Sequence, residues 1–81
     1  FGFGREVTLR LLAYLFDDLN MQRVRANCDP RNVPAWRVLE RVGMRREGHM
    51  HRSTWMKGEW TDDYWYAMLD DEWQELKKNL K

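Results

Sequence analysis

Apolar residues recur along this chain at two periods, and each change of period marks a new element. Over residues 5–19, Val7, Leu11, Leu15 and Leu19 fall four apart, with Leu12 and Phe16 widening the stripe. That spacing predicts an amphipathic helix. Glu6 falls in its first turn, where negative charge suits the helix dipole. Asn20-Met21 reads as a turn. Over residues 22–28 the period drops to two. Val24, Ala26 and Cys28 alternate with Arg23, Arg25 and Asn27, giving a strand with one buried and one polar face.

A second helix is marked at both ends. Asn32 is a good N-cap, since its side-chain oxygen can accept from a first-turn N–H. Pro34 sits where a missing N–H does no harm. Ala35, Val38, Leu39 and Val42 form one apolar stripe, and Gly43 suits the left-handed residue that closes many helices. Residues 45–56 then read as extended, Lys57-Gly58-Glu59 as a turn, and 60–69 as a returning strand of an antiparallel hairpin. Residues 70–81 carry acids first and lysines last, as a short closing helix would. Strand, helix and strand in this order suggest a parallel crossover unit. The expected class is α/β with a mixed sheet.

Composition narrows the picture. Eighty-one residues make one small domain at most. The tryptophans are the largest apolar groups, and those of the hairpin are expected in the core. A net charge of +1 gives no strong pull toward nucleic acid or an anionic membrane, and neither is expected as a partner. Loose groups of arginine (Arg23/Arg25, Arg31, Arg41/Arg45/Arg46) suit a small phosphate-bearing ligand better than a duplex. The one cysteine, Cys28, excludes an internal disulfide and reads as a small core residue. No stretch is long and apolar enough to span a membrane, and the expected location is cytoplasmic.

The wording of the middle segment adds a family resemblance. Asp29-Pro30-Arg31-Asn32 followed by Arg37-Val38-Leu39-Glu40-Arg41-Val42-Gly43-Met44 resembles the D-P-x-N-x-x-S-x-R-V-L-E-K-L-G-F segment of GNAT-superfamily N-acetyltransferases. The branch containing the ribosomal-protein N-terminal acetyltransferases is the most similar in wording. Gly58, Trp60, Asp62, Tyr66, Ala67, Leu69, Glu72 and Trp73 match a further family text in register, with Lys57 in place of an Asp. Gly2 and Gly4 match the last marked positions of the loop R/Q-x-x-G-x-G/A, which in that family cradles the pyrophosphate of acetyl-coenzyme A. Such glycines let backbone approach an anion at a helix start.

The resemblance implies the C-terminal half of a GNAT fold: helix, strand, helix, β-hairpin, short helix. It implies acetyl-CoA as donor and a primary amine as acceptor, on a protein N-terminus or a small molecule. Gly2, Phe3, Gly4, Arg5, Glu6, Asn32 and Arg37 are the cofactor-binding candidates. The chain opens on Phe-Gly-Phe-Gly without a Met, and the family domain takes about twice this length. Residues 1–81 are therefore expected to be a partial domain lacking the N-terminal strands. Alone it is expected to be inactive, with an unpaired edge on its first strand that drives self-association, as a homodimer, or pairing with the missing half.

No catalytic residue is assigned. Relatives carry Tyr at the position of Leu39 or Ser at that of Ala35, and neither Leu nor Ala donates a proton. Tyr66, Ser53 or water remain as the acid. Glu47 and Arg52 are candidates for the amine pocket. His49 and His51, considered with Cys28, make a weak ligand set, and no metal is expected. A non-catalytic, acetyltransferase-like binding module is the alternative reading.

Overall fold

The structure is a computed structural model and describes residues 4–79. Helix α1 (Arg5–Ala13) runs straight into a π-helical turn over Tyr14–Asp18, and strand β1 (Arg23–Cys28) follows. Helix α2 (Val33–Arg41), strand β2 (Arg45–Met56), strand β3 (Glu59–Leu69) and helix α3 (Asp70–Lys78) complete the chain. Each element lies within a few residues of where its hydrophobic period placed it.

The sheet departs from expectation in one respect. Its order is β1-β3-β2, and both pairings are antiparallel. β1 and β2 do run parallel with α2 between them, but β3 is inserted in the middle. The described sheet is therefore antiparallel, not mixed. The reason lies in the strands themselves. β3 holds the buried run Tyr66, Ala67 and Met68, whereas β1 and β2 alternate or string together charged and polar residues. The most apolar strand takes the centre, and the arginine-rich strands take the solvent edges.

Lys57 and Gly58 both have positive φ, 53° and 80°, so a two-residue turn of the mirror-image type joins β2 to β3. Gly43 closes α2 at φ 95°, as its position predicted. A Cβ there would sit 3.5 Å from Met68 Cε and 3.6 Å from Leu76 Cδ2, ordinary contact distances, so it is the positive φ that calls for glycine.

The core is one cluster on one face of the sheet. Leu12 and Phe16 of the first helix meet Leu39 of α2, Val42 and Met44 of the turn that follows it, Tyr66 and Met68 of β3, and Trp73 of α3. This corrects the expected stripe of the first helix. Val7, Leu11 and Leu19 are largely exposed, and the buried line is Thr8, Leu12 and Phe16. The helix is turned by one residue because Phe16 stacks on Trp73, ring centroids 6.0 Å apart. That aromatic pair buries more area than a leucine row would. The π turn, with Leu19 N–H reaching Tyr14 O at 3.0 Å, ends the helix beside α3. There Asp17 accepts from Trp73 Nε1 and Lys77 Nζ.

The hairpin tryptophans are also not where composition placed them. Trp55 and Trp60 are about 60% and 57% exposed and form an edge-to-face pair at 5.3 Å near the hairpin tip. The molecule is 44 Å long by 22 by 18, so this tip projects beyond the helices that could have covered it. No helix among the described residues is long and apolar enough to cross a membrane.

Candidate functional site

Chain direction brings two helix starts to one end of the sheet. α1 runs back along β1, and Thr8, Leu11, Leu12 and Leu15 face Val24, Ala26 and Asn27 across a cleft of about 400 Å³. The chain then follows β1 forward and turns through residues 29–32 into α2, which packs on α1. Both helices therefore begin where β1 finishes. Leu11 and Leu15, expected in the core, instead form one wall of this cleft.

The two starts differ in what they offer. Gly4 is extended (φ −74°, ψ 174°), and its carbonyl accepts from Thr8 N–H at 3.1 Å and Thr8 Oγ1 at 3.0 Å. The N–H groups of Arg5 and Glu6 find no acceptor among the described residues. A Cβ placed on Gly4 would meet nothing within 4 Å, so the space beside those N–H groups is open. Backbone donors around an open glycine are what a diphosphate needs. Gly2 and Phe3, named with Gly4 from the sequence, lie outside the described residues.

The α2 start is already satisfied. Asn32 occupies the N-cap position, yet its side chain makes no capping bond. Asp29 does the local work instead: its Oδ1 accepts from Arg31 N–H at 2.9 Å, and its carbonyl accepts from Asn32 N–H at 2.8 Å. An aspartate turn thus shapes the residues before the helix, while the first-turn Ala35 N–H bonds the Asn32 carbonyl at 3.1 Å and no side-chain cap forms. It leaves the exposed Asn32 amide without a hydrogen bond among the described residues, facing solvent at the cleft end. Arg5 and Arg37 make no ion pair among the described residues. Arg37 lies over the Trp36 ring at 6.0 Å.

Three residues named for chemistry prove to be engaged elsewhere. Tyr66 is fully buried, and its hydroxyl donates to Glu40 Oε2 at 2.7 Å. Burial, then the neighbouring Glu40 carboxylate, push its phenol up to about 12. Its hydroxyl is thus committed to Glu40 in this structure. Ser53 of β2 donates to Asp63 Oδ2 of β3 at 2.6 Å. Glu47 is bound by Arg23 and Arg45 and lines a groove with Trp65 on the sheet face opposite the helices, so it shares no pocket with Arg52. Cys28 is half-buried, and burial followed by the Asp29 charge raises its thiol, which fits a core residue and not a nucleophile.

Sequence reasoning missed one constellation and the third member of another. Glu40, Arg46 and Tyr66 form a bonded set under α2, with the Arg46 guanidinium 4.1 Å from the Tyr64 ring. His49 and His51 converge on Asp62, and Cys28 is not part of that group. The β2–β3 register sets Arg46 against Tyr66 and brings Asp62 to the two histidines, and the packing of α2 on the sheet adds Glu40.

Comparison with known sequences settles the lineage. The profile of the family described as Acetyltransferase (GNAT) domain matches residues 1–45, more than half of the chain. The chain belongs to the GNAT acetyltransferase family. The matched stretch of the GNAT domain takes in Gly4, the cleft between α1 and β1, and all of α2. The Bacillus subtilis protein YnaD, described as an uncharacterized N-acetyltransferase, is 40% identical over 72 residues, covering 89% of this chain and 42% of that protein. A GNAT-family acetyltransferase structure from Bacillus anthracis superposes with TM-score 0.83 at 39% identity, over 88% of this chain and 43% of that one. The spermidine/spermine N-acetyltransferase SpeG of Vibrio cholerae does so at 0.84 and 26%, over 91% and 45%. The chain thus spans about two fifths of the length of the relatives it matches.

The ion pairs around this GNAT core set its acid limit. The Tyr66 hydroxyl, then Arg46, hold Glu40 below its ordinary 4.5. Arg31 does the same for Asp29 relative to 3.8, and Arg45 for Glu72 relative to 4.5. Groups depressed in the folded state stabilise it above their unfolded values, and that stability goes as pH falls through the folded ones. Melting temperature is therefore expected to be flat from neutral pH down to about 5 and to fall on further acidification. Thermal melts by circular dichroism across that range check it, and a melting temperature that rises below pH 4.5 would contradict it.

Proposed function

We propose that the protein carrying this chain transfers an acetyl group from acetyl-CoA to a primary amine. Acetyl-CoA, when bound, supplies an acetyl group activated as a thioester. The residues of this chain bind and orient. The N–H groups of Arg5 and Glu6 beside the open Gly4 suit the diphosphate, with Gly2 and Phe3 preceding them in the sequence as further candidates. Asn32, with its amide uncommitted, suits a polar group along the pantetheine arm, and Arg37 suits a phosphate. The apolar cleft between α1 and β1 gives the arm a dry wall. Attack by the neutral amine nitrogen on the thioester carbonyl forms the amide C–N bond and breaks the C–S bond; the nitrogen gives up a proton to water and the thiolate leaves. With Tyr66 and Ser53 engaged elsewhere, water is the reading for its proton. Residues 1–81 in this reading contribute the diphosphate end of the cleft, as the later part of the domain.

The observation that carries the reading is the unfilled glycine start of α1 at the end of β1. The acceptor class is a protein N-terminus or a small amine; the name of SpeG makes a polyamine one to include. The test is thiol release from acetyl-CoA by the protein carrying this chain, with N-terminal peptides and spermidine as acceptors. Turnover with one acceptor class is expected, and saturable acetyl-CoA binding by calorimetry should accompany it. An absence of acetyl-CoA binding would overturn the proposal.

A further inference from the structure

β2 is interrupted opposite Asp62. Met50 pairs with Asp63 and Thr54 with Thr61, so His51, Arg52 and Ser53 together face that one residue. A bulge of this kind re-aims side chains that a regular strand would separate. Hydrogen bonds hold it in shape. Arg52 takes the left-handed φ of 49°, and its N–H donates to Asp62 Oδ1 at 2.9 Å. Ser53 Oγ and Thr54 Oγ1 donate to Asp63 Oδ2 at 2.6 and 2.8 Å. With Oδ1 engaged, Asp62 presents Oδ2 to two imidazoles: His49 Nε2 stands 2.8 Å away and His51 Nδ1 3.4 Å. The two rings stack at 4.1 Å, and Tyr64 packs edge-to-face on His49 at 5.0 Å.

We propose that His49, His51 and Asp62 form a binding site for a divalent transition-metal ion of the zinc class. Their donor atoms all lie within 4.8 Å of one another. Ligands held about 2.0–2.2 Å from a tetrahedral zinc ion stand roughly 3.3 Å from each other. The 3.4 Å separation to His51 already matches, and the 2.8 Å one to His49 opens slightly as the hydrogen bond gives way to the ion. Two imidazoles and one carboxylate suit zinc, nickel or copper, and not magnesium or calcium, which take oxygen ligands. The Arg52 N–H on the other carboxylate oxygen orients Asp62 as outer partners orient metal ligands.

An ordinary Asp–His hydrogen bond accounts for His49 alone. It does not account for a second imidazole stacked on the first and aimed at the same oxygen. The His51 side chain is 74% exposed, which leaves an open side for water or an added ligand to complete the shell. The site is independent of the acetyl-transfer reading.

Zinc chloride titrated into metal-free protein, followed by calorimetry and by the imidazole C–H resonances, tests this. These are the only two histidines in the chain, so their signals are readily assigned. One ion per chain is expected, with both resonances moving together and no heat from magnesium. Cobalt in its place should give the visible absorption of a low-coordinate site. His51→Gln and Asp62→Asn should each weaken zinc binding by about tenfold or more while melting like the parent. Absence of saturable zinc binding, or either variant binding as tightly as the parent, would overturn the proposal.

Discussion

Trp73→Ala is expected to remove most of the stability of this domain, about 3–5 kcal/mol. Trp73 is 2% exposed, stacks on Phe16, and donates Nε1 to both Asp17 oxygens at 3.2 Å. It is the one buried residue of α3, so its loss undocks that helix from the first. The truncation opens a cavity the surrounding backbone cannot fully close, and Asp17 loses a donor as well. A domain of this size has little reserve, and each kcal/mol moves the melting temperature by about 4–8 °C. A fall of at least 15 °C, roughly, is expected by circular dichroism. Trp60→Ala, at a residue 57% exposed, should stay within about 0.5 kcal/mol of the parent. Equal effects of the two substitutions would mean that the tryptophans do not divide into core and surface as described.

Gly4→Asp should separate folding from ligand binding, because the two respond with opposite sign. Gly4 is the N-cap of α1, its backbone is extended, and its missing Cβ faces open space. Aspartate caps helices at least as well as glycine, so stability should hold or rise by a few tenths of a kcal/mol. The new carboxylate would lie where the proposed diphosphate sits. Repulsion and lost space should weaken acetyl-CoA binding by about tenfold or more, which calorimetry reads directly. Unchanged affinity would show that the helix start is not the anion cradle, whatever the protein's activity.

Much of this was legible in the chain itself, because it rests on local rules. Helix ends at Asn32-Val33-Pro34 and Gly43, the alternation in β1, and the Lys57-Gly58 turn are each decided by residues that touch along the sequence. The glycine start of α1 and the wording of the Asp29–Met44 segment pointed to the GNAT family for the same reason. Partner choice was not local. Val7, Leu11 and Leu19 make as regular a stripe as Thr8, Leu12 and Phe16, and only the presence of Trp73, 57 positions after Phe16, decides which one is buried. Asn32 was placed correctly as a cap position, but its side chain makes no capping bond, and Asp29 shapes the turn that precedes it.

By itself, then, the sequence determined the elements, their ends, the family and the open glycine at the head of α1. Periodicity, capping and turn chemistry act over a few residues and leave their mark in order along the chain. Tertiary structure alone decided that β3 divides β1 from β2, that the hairpin tryptophans reach solvent, and that Tyr66 is locked onto Glu40. It alone gathered His49, His51 and Asp62 around one bulge. Those outcomes depend on register and on competition for a small core, and neither is written at any single position.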